Sequence, residues 1–127
     1  NMAVLSGSTP KYLLRLYNEA GTQLDPSNLS QVLEVKVHLY NAITGDIVGR
    51  FILRESPLPD GYTRLTTKIV ETGDVRVLMV LTSTMTSAAA GNSNEIQIDI
   101  HVPDAEVPGG TRIIKNKGKF HEIVKSK

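Results

Sequence analysis

The sequence contains no cysteine and no tryptophan, and only two phenylalanines in 127 residues. Without cysteine there is neither a disulfide framework nor a thiolate-ligated zinc or iron–sulfur site. The shortage of aromatic rings argues against an aromatic-lined sugar or peptide groove, and against the stacking platforms that hold single-stranded nucleic acid. Long apolar runs are missing as well. The longest, residues 77–81, falls far below the roughly 20 residues of a membrane-spanning helix. With Met2 read as the start, residues 3–8 lack the basic segment and the apolar core, about 7 to 15 residues, of a secretion signal. The expected compartment is the cytoplasm in which the chain is made, or a particle assembled there.

What is present suits one domain, residues 1–127, with about 40% hydrophobic residues to fill a single core. The net charge of +1 hides an asymmetry. Residues 1–110 carry 8 Lys/Arg and 12 Asp/Glu, whereas residues 111–127 carry 6 Lys/Arg against Glu122 alone. The chain therefore reads as a mildly acidic body, a flexible N-terminus over residues 1–10, and a basic C-terminal strand and tail over residues 111–127.

The dominant period is two. Leu33, Val35, Val37 and Leu39 alternate with polar residues, and so do Ile96, Ile98, Ile100 and Val102. Each run predicts a strand with one dry and one wet face. Residues 12–18 predict another, with Leu14 and Leu16 inward. Gly21, Asp25-Pro26 and Asn28 or Ser30 then make the connection to the strand at Leu33. Residues 35–41 and 46–54 predict a hairpin closed by a Gly-containing turn. The prolines at 57 and 59 and the Asp60-Gly61 pair predict a loop. Residues 62–71 read as one irregular strand, and residues 75–81, apolar on both faces, as one that is central or covered on both sides. A single helical turn is expected from Thr84 as N-cap candidate through three alanines to Gly91. Residues 119–124 read as a last short strand. About seven strands at this spacing predict an all-β, immunoglobulin-like antiparallel sandwich with one short helical crossover.

No residue constellation demands a chemistry. His38, His101 and His121 fall on different predicted strands, with no spacing that enforces a metal site. Asp25, Asp60, Asp74 and Asp104 stand singly in turn-like contexts, where a carboxylate bonds a nearby amide. No loop has the calcium-binding order of carboxylates. No serine lies in a nucleophile elbow. Lys115 to Lys119 resembles a phosphate loop only in composition, because Ile113 and Phe120 stand where a glycine and a hydroxyl residue are needed.

Three stretches carry a family resemblance: "LLRLYNEAGTQLDPSNLSQVLEVKVHLYN", "GDVRVLMVLTSTMTSAAAG" and "NEIQIDIHVPDAEVPGGTRI". In order they are similar to the opening strand, Gly turn and second strand, the strand with its helical turn, and the following strand and loop of a bacteriophage virion family. That family is the immunoglobulin-like N-terminal domain of the phage baseplate upper protein. The resemblance implies no catalytic residue and no cofactor. It implies a non-enzymatic structural or assembly protein of a phage particle (tail, baseplate, connector or head-fibre component). The partners would be other virion structural proteins and further copies of itself, with neither membrane nor nucleic acid among them. A ligand- or carbohydrate-binding sandwich of a bacterial surface protein is the alternative. On the assembly reading, the expected contact residues are Arg112, Lys115, Lys117, Lys119 and Lys125, with the loops at residues 57–61 and 103–110 beside them.

Overall fold

A computed structural model of the chain describes residues 3–24, 34–53, 57–71 and 74–126. Asp25-Pro26, Asn28, Ser30, Leu33, Arg54, Ser56 and Gly73, and with them the connection expected around Asp25, lie outside the described residues.

Alternation in the sequence becomes a sheet at residues 34–41 first. In β3 (Glu34–Asn41), Val35, Val37 and Leu39 are fully buried, while Glu34, Lys36, His38 and Tyr40 face outward. β3 pairs antiparallel with β4 (Ile47–Leu53) through the expected hairpin. The Asn41 side chain fixes that turn by accepting from the Ile43 and Thr44 amides at 2.8 and 3.1 Å. Gly45 completes the turn with a φ of 79°, which glycine adopts without strain.

Residues 62–71 form two strands where one was expected. β5 (Tyr62–Arg64) lies parallel to β4 in the larger sheet, and β6 (Thr66–Glu71) lies antiparallel to β7 (Asp74–Val80) in the smaller one. The chain changes sheets at Leu65, which is 1% exposed and anchors the crossing. β7 is central in its sheet, as its sequence predicts, with β2 (Lys11–Leu14) on its other side. Val77, Met79 and Leu81 are buried beneath it.

The helix α1 (Ser83–Ala89) connects the two sheets. Its N-cap is Thr82, whose hydroxyl accepts from the Met85 amide, two residues before the expected Thr84. Then come β8 (Asn94–Pro103) and β9 (Thr111–Lys119), a long antiparallel pair, and β10 (Ile123–Val124). The last strand expected over residues 119–124 survives only at its ends, as Lys119 of β9 and the two residues of β10, with no strand at residues 120–122. β1 (Val4–Leu5) runs parallel to β10. The opening residues, expected to be flexible, are fastened further by Thr86, which is fully buried. Its hydroxyl donates to Ser8 O and accepts from Gly7 N, both at 2.9 Å.

The result is an all-β sandwich. The three-stranded sheet has the order β2-β7-β6 and the five-stranded sheet the order β5-β4-β3-β8-β9. Read as B-E-D against C″-C′-C-F-G, this is the strand order of an immunoglobulin-like domain of the variable type. Two features depart from the purely antiparallel expectation: the parallel pairs β4·β5 and β1·β10. Among the described residues ten strands replace about seven, because short strands of two or three residues carry no period of their own. In the absence of an inter-sheet disulfide the layers are joined by side chains: Val35, Val37, Leu39, Phe51, Ile98 and Ile100 of the large sheet meet Val77 and Met79 of the small one.

Candidate functional site

The expected contact residues separate into three groups. Lys115, Lys117 and Lys119 project from the outer face of β9, an edge strand of the large sheet. Lys115 sits opposite Asp99 and Lys119 opposite Glu95, with Lys117 opposite Gln97 between them. Lys115 Nζ lies 3.6 Å from Asp99, and Lys117 Nζ 4.0 Å from Glu95. Arg112 points the other way. It is held by Glu19, in the turn after β2, and by Asp104 in the β8–β9 loop, with Nε 3.2 Å from the Asp104 carboxylate. Glu19 is drawn below the usual carboxylate range by its bond to Arg112. Arg112 is therefore an internal clamp. Lys125 lies beyond β10 with its aliphatic stem against Gly91, away from both. The five residues form no single surface.

Other charges on the outer face of the large sheet are paired in the same manner. Glu34 is 3.9 Å from Lys36 and 3.7 Å from His101, and the Gln97 amide donates to Asp99 at 3.1 Å. The three histidines stay apart. His38 is opposite Gln97, His101 is opposite Glu34 further along the same pair of strands, and His121 stacks on Tyr12 at 5.8 Å. Burial pushes the His38 imidazole below its ordinary value, with Asp99 opposing the shift. Among the described residues no three His, Asp or Glu side chains approach as metal ligands would.

The outer face of the small sheet has a different make-up. By register, Leu13 faces Leu78, Lys11 faces Val80, Leu78 faces Thr66, and Arg76 faces Lys68. Leu13 and Val80 are 38% and 36% exposed, leaving an apolar strip at the centre of the face. Lys11, Arg15, Lys68 and Arg76 surround it. Asp74 lies close by, with Glu71 opposite it in register, and Arg76 grips Asp74 with two bonds of 3.2 and 2.8 Å while Gln23 donates a third at 3.0 Å. Arg76 first, then Gln23, lower its carboxyl to about 2. The turn-like context of Asp74 predicts a bond to a nearby amide; a guanidinium two residues along the strand, on the same face, takes the carboxylate instead. Asp104 does behave as expected, accepting from the Glu106 amide at 3.0 Å.

Sequence reasoning missed this face because its four cations come from positions 11, 15, 68 and 76, on or beside three strands, and no local run announces them. The usable signal was the doubly apolar β7: an outward Leu78 and Val80 on a central strand must be covered by something or remain exposed.

On the flank between the sheets, the Asn116 side chain of β9 reaches the backbone of Tyr17. It accepts from Tyr17 N and donates to Tyr17 O, both at 3.2 Å, imitating a strand partner. Beside it lies a cleft lined by Arg15, Tyr17, Ile96, Ile98, Lys117 and Gly118. A hollow of about 500 Å³ opens at one end of the sandwich, among Asn92, Asn94, Glu95, Lys119, Phe120 and Glu122. Asn94 is committed to structure there, donating to Ala89 O and Asn92 O at 3.0 and 3.2 Å.

Strand order and core place the chain in the class of immunoglobulin-like sandwiches. Beyond that class, it matches no protein-family model, no curated protein and no solved structure.

Proposed function

We propose that this chain is a non-enzymatic assembly domain of a bacteriophage particle, working through protein–protein contacts in a tail, baseplate, connector or head-fibre, and located in the virion. The observation that carries the reading is the outer face of the small sheet, where an apolar strip of Leu13, Leu78 and Val80 lies among four cations, with Asp74 and Glu71 at one end. Exposed apolar side chains rimmed by charge are typical of surfaces that become buried against another protein. The charge selects a partner with carboxylates beside its own apolar residues. The family resemblance supplies the setting, a virion.

The test is peptide mass spectrometry of purified phage particles, combined with recovery of partners on the tagged chain. The expected result is the chain in the particle at a fixed copy number, with partner recovery lost in a Leu13→Glu, Val80→Glu variant that still melts cooperatively. Absence from purified particles would end this reading. Glycan binding by a chain absent from particles would favour a carbohydrate-binding sandwich of a bacterial surface protein.

A further inference from the structure

The assembly reading is deepened here by naming one partner, a second copy of this chain. Among the described residues neither β2 nor β6, the two edges of the small sheet, has a strand on its outer side. The two edges are unlike. β6 is exposed at all six positions, and it carries Ile69 at 72% and Val70 at 43% exposure, followed by Glu71. Ile69 pairs with Val75, whose side chain packs against the core. Its own side chain therefore belongs to the inward row of the sheet and lies uncovered past the rim of the sandwich.

β2 borders the cleft instead. The cleft continues from Ile96, Ile98 and Gly118 to Leu13, Leu14 and Arg76. Gly118 lies on the inward row of β9, two residues after Asn116, and a Cβ there would meet nothing within 4 Å. The absent side chain leaves the cleft open. Its floor is apolar, and Arg15, Arg76 and Lys117 stand around it.

The geometry points to head-to-tail strand addition, with β6 of one copy lying along the free edge of β2 in the next. In a continuous sheet Ile69 keeps its inward direction and enters the cleft over Ile96 and Ile98. The register shifts at Val70, which brings Glu71 opposite Asp74 on the outward row. Glu71 meets the cationic rim. Backbone hydrogen bonds supply the pairing, while the apolar anchor and the charge set its register. Donor and acceptor are different surfaces, so the contact is heterologous and builds rings or open filaments rather than an isologous dimer.

Sedimentation velocity and native mass spectrometry over a range of concentrations test this. The wild type is expected to associate. Ile69→Asp, which removes the donor, and Gly118→Leu, which fills the acceptor, are each expected to weaken association about tenfold or more. An equimolar mixture of the two is expected to give a one-to-one dimer and nothing larger, since one intact donor and one intact acceptor remain. If either variant loses its cooperative melt, Arg15→Glu and Glu71→Arg replace the pair, separately weak and jointly restored. A wild type that stays monomeric at every concentration, variants that assemble like it, or a mixture that exceeds two subunits would overturn strand addition. A monomeric wild type would leave particle membership standing, because mass spectrometry of the virion reads that independently.

Discussion

The two outer faces of the sandwich both carry charged residues and use them in opposite ways. On the large sheet, Lys115, Lys117, Lys36 and His101 each have a carboxylate across or along the strand. On the small sheet, four cations surround an apolar strip, and the carboxylates Asp74 and Glu71 gather at one end of it. A charged strand is therefore no guide to a contact surface until its neighbours are known. The five lysines and arginines in residues 111–119 and 125 look like a binding patch in one dimension, whereas in three β8 pairs Lys115 and Lys117 while Glu19 and Asp104 hold Arg112.

Both faces rest on one core, so the largest effect comes from removing what they share. Phe51→Ala should cost about 3–5 kcal/mol, since the ring is fully buried, and urea unfolding should show both faces lost in one transition. Separate transitions for the two sheets would break the comparison at its root. Next comes the clip between them. Asn116→Ala removes both bonds to Tyr17 and should cost about 1–2 kcal/mol, with faster amide exchange at Tyr17 and Asn18 while β3 and β8 stay protected.

Acid should act on the small sheet through Asp74. Its folded pKa is depressed to about 2 from an ordinary value of 3.8, so its contribution is complete above the ordinary value and is lost as pH falls through the folded one. Stability measured from pH 5 down to pH 2 should fall less steeply in Asp74→Asn than in the wild type. Parallel curves would mean that the Arg76 grip contributes nothing. The smallest effect belongs to the paired face. Lys115→Glu, in which the lysine side chain is 63% exposed, should change stability by about 1 kcal/mol or less at low salt, fading as salt rises. It should leave self-association intact, unlike Arg15→Glu.

Much of the fold was legible because a half-buried strand writes its faces into alternate residues. β3 and β8 were read from that signal, as were the β3–β4 hairpin and the central place of β7. β9 was not. Its inward row is Arg112, Ile114, Asn116 and Gly118, with one aliphatic residue among four, while Ile113 sits outward at 52% exposure. The period is there in space but has no hydrophobic expression. Leu65 failed for another reason: an apolar residue inside an alternating run looks the same whether the strand continues or crosses to the other sheet. The candidate surface was the least legible part, since register across three strands creates it. The helix cap shifted only because Thr82 and Thr84 are equivalent in sequence, and the geometry of the chain leaving β7 selects the first.

The pairing of β1 with β10 has a mechanical meaning. The strands run parallel, Val4 beside Ile123 and Leu5 beside Val124, and Ser6 adds a 2.8 Å bond from its amide to Val124 O. A pull toward the N-terminus acts on β1 from the Val4 side, and a pull toward the C-terminus acts on β10 from the Val124 side. The load is thus shared along the seam as shear, with its few bonds strained together instead of peeled in turn, and tension would reach the core only after they part.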